Sequence, residues 1–284
     1  MLYQLNPVAW NFHRSTMHIR YGESPVIDPP LPIAPNPEYS QPGHMKEYPA
    51  AQRRALPPPE KVPLAIGDAI ARRGSCRRFA ESSFPVAGLS TLLHNAYALG
   101  APYRYGDLEM FDRPVPSGGG CYPLELYLIV RDVESVPAGI QHYSVRQHVL
   151  EELGPAPQPT AVASLFLGQP WLAKAPVIVV MTAVASRLLY RYGDRGYRYL
   201  LVEAGHVGQN LALVATASGF GSLSLGGFFD DDVSRMLGLD PAFEIPLYGM
   251  ALGVPDTADH AEARGLDLLG STGQASARRG LCQR

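Results

Sequence analysis

The chain has 284 residues, of which 46% are hydrophobic and 18% are charged, and its formal net charge is −2. The charged fraction lies below the globular average of about 25%, which indicates extra buried surface of the kind an obligate dimer has. A nearly neutral chain offers no basic field to nucleic acid, so the composition argues against polynucleotide binding as the main role.

Cysteine spacing and hydropathy argue against disulfide-rich, metal-binding, secreted and membrane-spanning proteins. Cys76, Cys121 and Cys282 are an odd number at wide spacing, so they form neither a disulfide framework nor a CxxC metal knuckle, and no metal site is predicted. The N-terminal MLYQLNPVAW lacks the basic and apolar regions of a signal peptide. No segment approaches about 18 uninterrupted apolar residues. We therefore expect no membrane span and a cytoplasmic location.

Proline sets the first organisational boundary. It recurs from Pro25 to Pro63, which favours extended polyproline geometry over helix or central strand. A flexible linker is one interpretation. An arm that packs on the body is the preferred one, because the stretch carries apolar anchors at Leu31, Ile33, Tyr39, Tyr48 and Leu56. Three units are predicted: an N-terminal segment with this arm (1–63), a main domain (64–256) and a polar tail with a disordered end (257–284).

Hydrophobic periodicity predicts the elements of the main domain. The predicted helices are Leu64–Arg73, Pro85–Leu99, Tyr197–Ser218 and Asp230–Leu237. The predicted strands are Pro123–Val130, Val177–Thr182 and Leu247–Leu252, with a hairpin over Gly139–Leu153 that turns at Ser144–Gln147. The helix from Tyr197 is apolar nearly all round, which predicts burial in a core or in a subunit interface.

Two loops of the main domain have the composition of ligand-binding segments. The first, RRGSCRRF at 72–79, gathers guanidiniums and a hydroxyl in one turn, which suits an anion such as phosphate. Spacing alone equally allows a solvated basic helix end. The second, RPVPSGGGCYP at 113–123, places three glycines between prolines, so bare backbone can approach a planar ligand. An ordinary surface loop is the alternative there.

A third segment, RYGDRGYRY at 191–199, runs into the apolar helix. Tyr192 lies between Arg191 and Arg195, and adjacent cations are expected to lower a tyrosine pKa, which makes Tyr192 a candidate acid or base. Glu203 and His206 share a helix face, and a satisfied core network of Glu203, His206 and Gln209 is the alternative. A fourth segment, GGFF at 226–229, is another place where backbone can lie close to a ligand.

Common catalytic motifs are absent. The sequence contains no HExxH, no GxxxxGK[ST], no GxGxxG after a strand and no GxSxG elbow. Metalloprotease, P-loop, Rossmann and serine-hydrolase functions therefore lose support.

Taken together, the segments resemble the nitroreductase superfamily, and more closely its SagB-type dehydrogenase branch. The resemblance covers roughly residues 64–256 in the family's order. Its most specific parts are PSGGGCYPLELY and YGDRGYRYLLVEAGHVGQN; RRGSCRRF, GIQHYSVRQHVL, GGFFDD and LYGMALGVP also match. The resemblance implies an α+β fold with a central sheet wrapped by helices, two intertwined chains, and one flavin mononucleotide (FMN) at each end of their interface.

The resemblance also implies roles for particular residues. Arg73, Ser75 and Arg77 match those that hold the FMN phosphate, ribityl chain and pyrimidine edge. The loop of Pro116, Ser117, Gly118 and Gly119 matches the partner-chain loop against the isoalloxazine, and Gly226 and Gly227 match the backbone facing the flavin N5 side. Where the family has a catalytic Lys-Tyr pair, this chain has Arg191 and Tyr192. Arginine is always protonated and cannot act as the base that lysine can, although it can hold a substrate carbonyl.

The resemblance predicts a homodimeric FMN dehydrogenase that acts on a peptide or peptide-like substrate in natural-product biosynthesis, as in the oxidation of azoline rings to azoles. A partner biosynthetic protein is a further expectation. An NAD(P)H-dependent nitroreductase or quinone reductase is the first alternative. A non-catalytic partner subunit, which would be colourless, is the second.

Overall fold

The computed structural model describes residues 7–17, 45–105 and 108–256. Most of the proline-rich stretch and the whole polar tail lie outside these residues. The prediction of three units is therefore not tested and stays a prediction. Within the described part, Leu56 is buried in a hydrophobic core and Tyr48 packs against a second one.

A seven-stranded antiparallel sheet forms the centre of the chain. Its strands lie in the order β1-β6-β5-β4-β7-β9-β8. They are β1 (Gln52–Ala55), β4 (Leu124–Val130), β5 (Gly139–Ser144), β6 (Val149–Pro155), β7 (Val177–Val184), β8 (Gly221–Leu225) and β9 (Glu244–Gly253). A separate hairpin pairs β2 (Pro102–Tyr105) with β3 (Leu108–Phe111). All four strand regions predicted from the sequence are confirmed, including the hairpin.

Seven helices accompany the sheet in the described residues. They are α1 (Pro7–Ser15), α2 (Ile66–Arg72), α3 (Val86–Tyr97), α4 (Pro159–Leu165), α5 (Ser186–Tyr192), α6 (Arg195–Ala217) and α7 (Asp230–Leu237). Short 3₁₀ turns lie at Gly118–Gly120 and Pro170–Lys174. The four predicted helices appear as α2, α3, α6 and α7. None of the described helices is both long and apolar enough to span a bilayer.

Side-chain alternation on the central strands produces two cores. Leu126 and Leu128 of β4 face the core that contains α3 and α6, whereas Tyr127 and Ile129 face the core that contains α4 and α7. Because helices cover both faces, β4 and β7 are buried along their full length. The α+β architecture of a central sheet wrapped by helices is therefore confirmed.

Candidate functional site

The glycine loop (residues 116–120) has a backbone conformation at Gly119 that favours glycine. Gly119 has a φ of +59°, and a Cβ there would lie 2.7 Å from the Tyr192 hydroxyl and 2.9 Å from an Arg191 guanidinium nitrogen. The left-handed conformation favours glycine, and a side chain at this position would also require Arg191 and Tyr192 to move. A hydrogen bond closes the loop, because the Tyr122 backbone N–H donates to the Ser117 Oγ at 2.9 Å.

Arg191 and Tyr192, the last two residues of α5, lie against this loop. An Arg191 guanidinium nitrogen donates to the Gly119 carbonyl at 3.4 Å. The half-buried Tyr192 ring packs edge-on against Tyr199 of α6, with 5.1 Å between ring centroids. The fold thus brings together two predicted segments that are about 70 positions apart in the sequence.

Arg187, also on α5, holds this helix against β4 and the end of the glycine loop. Its side chain is 1% exposed, and it forms an ion pair with Glu125 of β4 at 2.7 Å. It also donates to the Tyr122 carbonyl at 3.2 Å. One guanidinium therefore joins the helix that carries Tyr192 to the end of the glycine loop. The sequence analysis missed Arg187, because nothing in SRLLYRY distinguishes a buried arginine from an exposed one.

A cavity of about 350 Å³ opens between the glycine loop and α6. Pro116, Ser117 and Gly118 line one side, and Tyr192 and Tyr199 line another. Val202, Glu203 and His206 of α6 complete the wall. Aromatic faces, bare backbone and a few polar groups form a wall that suits a planar ligand with polar edges.

The pKa of Tyr192 corrects one expectation. Burial of the phenol raises it above the ordinary value, and the Arg191 charge opposes this effect without reversing it. The cation was expected to lower the pKa of Tyr192, and this expectation was wrong because it did not include the cost of desolvating a phenolate. Tyr192 therefore stays protonated at neutral pH and can donate a hydrogen bond, but it is a poor base.

Glu203 is the other ionisable group deep in this wall. It is 2% exposed, and one oxygen, Oε1, accepts a hydrogen bond from the Tyr97 hydroxyl at 3.0 Å. Burial raises the pKa of Glu203 to about 7, against the lowering effects of Ser117 and Tyr97. The core network considered from the sequence is thus only partly formed, since His206 and Gln209 are exposed.

The predicted anion-binding residues lie elsewhere on the chain. Arg73, Ser75 and Arg77 are exposed after α2, and this segment runs beside β8, where the Cys76 backbone N–H donates to the Ser222 carbonyl at 2.9 Å. Gly226 and Gly227 follow the other end of β8. None of these five residues lines the cavity. The structure thus groups the predicted site residues in two places, along β8 and around the glycine loop.

The two groups of predicted residues at the opposite ends of β8 are suitably spaced for one elongated ligand. At about 3.3 Å per residue, the β8 backbone from Ser222 to Gly226 covers roughly 13 Å. Cationic donors at one end of this strand and bare glycine backbone at the other match a phosphate joined to a flat ring by a flexible chain.

Sequence comparisons agree on one family. A family model described as the nitroreductase family matches residues 70–254. A Methanocaldococcus jannaschii protein that is a nitroreductase by name is 34% identical over 195 residues, which is 69% of this chain and 93% of that protein. The microcin B17-processing protein McbC of Escherichia coli is 30% identical over 172 residues, which is 59% of this chain and 61% of that protein.

A solved structure shows the same fold. The chain superposes on a chain of the E. coli microcin synthetase McbBCD complex, solved with truncated pro-MccB17 bound, with a TM-score of 0.57 and 22% identity. The alignment covers 89% of this chain and 94% of that chain.

Proposed function

The chain belongs to the nitroreductase family, and on that premise we propose that it is a homodimeric FMN-dependent dehydrogenase of a peptide or peptide-like substrate. The single observation that carries the proposal is the cavity, in which the glycine loop and Tyr192 form one wall. In this proposal FMN supplies the hydride acceptor, and the side chains of the protein bind and orient the substrate.

The residues present fit FMN. Gly119 carries no side chain, so the loop presents bare backbone beside the cavity. The exposed Arg73, Ser75 and Arg77 are the donor set that a phosphate and a polyol require. Gly226 and Gly227 offer backbone at the far end of β8. In the dimer we propose, one chain contributes the arginines and its partner contributes the glycine loop.

Arg191 and Tyr192 are assigned to substrate orientation. Arg191 is permanently charged, and it lies beside the Gly119 carbonyl at the cavity's edge, where it can hold a substrate carbonyl. Tyr192 keeps its proton and can donate a hydrogen bond to the same substrate. Arg187 fixes both by tying α5 to Tyr122.

The substrate class rests on one relative. McbC is a processing protein for microcin B17 by name, and the chain spans 61% of the length of McbC. We extend peptide processing from McbC to this chain, together with the need for a partner biosynthetic protein. Oxidation of an azoline ring to an azole is the reaction we propose.

A second candidate is an NAD(P)H-dependent nitroreductase or quinone reductase. The nitroreductase-named relative from M. jannaschii favours it, because the alignment covers 93% of that protein. The two functions differ in what reduces the flavin. Rapid anaerobic bleaching of bound flavin by NADH would favour the second candidate. Bleaching by an azoline-containing peptide, with loss of two hydrogen atoms from the peptide mass, would favour the first.

The cofactor assignment is tested with purified protein and a matched pair of variants. We expect the protein to carry a yellow chromophore with the mass of FMN, one per chain. Arg73→Ala should weaken FMN binding by roughly 10- to 100-fold, since a hydrogen bond to a charged group contributes about 1.5–3 kcal/mol. Arg72→Ala, one residue earlier and also exposed, should leave binding unchanged.

Fluorescence titration of the protein with FMN measures both affinities. Colourless protein that takes up no added FMN would contradict the proposal and favour the partner-subunit alternative. Equal losses in both variants would show that general positive charge attracts the ligand, and they would remove Arg73 from the site.

A further inference from the structure

The cavity contains one carboxyl group whose hydrogen bonding is incomplete. Glu203 lines the wall formed by α6. Its Oε1 accepts a hydrogen bond from Tyr97, while its Oε2 is buried and makes no hydrogen bond of ordinary length among the described residues, although the Ser117 side chain is close enough to lower the pKa of the carboxyl. A buried polar oxygen without a partner costs about 1–3 kcal/mol. Such a group in a cavity wall is suited to a ligand that completes its hydrogen bonding.

Other groups near Glu203 are less able to exchange a proton. Arg113, Arg187 and Arg191 are permanently protonated. Burial raises the pKa values of Tyr97, Cys121 and Tyr192, so these groups stay protonated at neutral pH. Ser117 is an alcohol, and His206 is exposed. Of the buried groups in this wall, the Glu203 carboxyl is the one that can both lose and accept a proton near pH 7; the other acid or base of the wall, His206, is exposed at its outer side.

We propose that Glu203 is the catalytic base of this cavity, with its unpartnered Oε2 as the atom that takes the proton from the substrate. This inference rests on the proposed function, and it gives Tyr192 the role of a hydrogen-bond donor. The Tyr97 hydroxyl is a positioning group, because it holds Oε1 and leaves Oε2 free.

The proposed step balances in atoms and electrons. At the azoline ring, the C–H bond on the α carbon breaks and its proton forms an O–H bond with Glu203. The electron pair of that bond becomes the new ring double bond. FMN, when bound, would supply the oxidant, because it would accept the hydrogen of the adjacent ring carbon together with both electrons. The substrate thus loses one proton and one hydride, and the protonated Glu203 later returns its proton to solvent.

The test begins with protein that carries no substrate. Carbon-13 NMR of glutamate side-chain carboxyls, assigned by comparison with Glu203→Gln, should show one carboxyl that titrates near pH 7. Tyr97→Phe should move that titration to higher pH, because it removes a hydrogen bond that lowers the pKa of Glu203.

Kinetics of azoline oxidation then test the catalytic role. Glu203→Gln keeps the shape and the bond from Tyr97, so KM should be retained while kcat falls by roughly 10²- to 10⁴-fold. The acidic limb of the pH profile of kcat/KM should vanish in Glu203→Gln and shift upward in Tyr97→Phe. Glu81→Gln, an exposed glutamate outside the cavity, should match the parent protein.

The outcomes separate the two proposals. Full kcat in Glu203→Gln, or a Glu203 carboxyl that titrates at the ordinary pH of a glutamate, would overturn the base assignment and leave the FMN assignment standing. Protein that binds no FMN would overturn the proposed function, while the NMR titration would still report on Glu203.

Discussion

At the scale of single residues, His142 is held between two carboxylates in the core on the α4 side of the sheet. Its Nδ1 lies 2.9 Å from Glu151 and its Nε2 lies 3.3 Å from Glu125. Burial disfavours the charged imidazolium, but the hydrogen bonds and charges of both glutamates outweigh that effect and raise the pKa of His142. The same arrangement lowers the pKa of Glu125 to about 2, chiefly through Arg187 and His142 acting against burial.

This arrangement predicts how stability depends on pH. A histidine whose pKa is raised in the folded state stabilises fully below its unfolded pKa of about 6.5, and its contribution is lost as the pH rises through the folded pKa. His142→Gln should therefore lower the free energy of unfolding by about 3–5 kcal/mol at pH 6. The difference from the parent protein should shrink at higher pH.

Urea unfolding across the pH range measures that difference. His206→Gln, which changes an exposed histidine, should keep the parent's pH dependence. A difference that widens as the pH rises would contradict the assigned sign. Between pH 4.5 and about 2 a second loss is expected, because a carboxyl with a lowered pKa contributes its full stabilisation above the unfolded pKa and loses it as the pH falls through the folded pKa.

At the scale of elements, α6 packs so closely on β9 that a side chain at Gly208 would require the Tyr248 ring to move. A Cβ at Gly208 would lie 2.7 Å from the Cε1 atom of Tyr248, a distance that real Cβ atoms essentially never show. The small residue lets the helix backbone approach the sheet.

Gly208→Ala is therefore expected to destabilise the protein even though alanine favours helix. Overpacking of this kind costs about 1–3 kcal/mol and exceeds the gain of about 1 kcal/mol in helix propensity. Gly67→Ala in α2 is the matched control, since a Cβ there meets nothing within 4 Å. Urea unfolding should show opposite changes in the two variants, and stabilisation of both would refute the close approach.

Elements with a clear apolar pattern could be predicted, including the short helices α2 and α7, whereas short elements without such a pattern could not. The 23 residues of α6 carry enough apolar positions to fix a helix, and the eight residues of α7 were predicted with the observed bounds. The seven-residue α5 and the strand β8 (GSLSL) were missed. Windows this short hold too few residues for a reliable period, and glycine and serine disfavour strand prediction.

The candidate site was predictable in composition but not in arrangement. The glycine loop and Arg191–Tyr192 stood out by residue type, whereas their contact depends on how α5 folds onto the loop. Burial also decided the two pKa values that matter, those of Tyr192 and Glu203. Sequence neighbours reveal nearby charges, but they do not reveal desolvation, which depends on the complete fold.

At the scale of the whole molecule, α6 leaves apolar surface uncovered on the single chain. Leu201 is 43% exposed and Val202 is 54% exposed, with Gly205 and Gln209 continuing the same stripe. A helix that is apolar nearly all round is expected to be buried on every side. This exposed stripe of α6 supports the homodimer of the proposed function, with the two copies of α6 facing each other.

Leu201→Glu tests the dimer. A two-fold axis places the new carboxylate in the interface twice, so we expect the dissociation constant to rise by roughly 100-fold or more. Phe243→Glu changes a similarly exposed apolar residue away from α6 and should leave the mass unchanged. Light scattering at a series of concentrations measures both, and a monomeric parent protein would refute the dimer.

The strand order has a consequence for biosynthesis. β9 is the last strand of the described chain, yet it lies between β7 and β8. While the ribosome is still synthesising residues 244–253, the eight residues of β7, seven of them apolar, have one open edge in the nascent chain. An open, apolar strand edge is a template for aggregation. Until β9 emerges and closes the sheet, the growing polypeptide therefore exposes the edge of β7 to pairing with other chains.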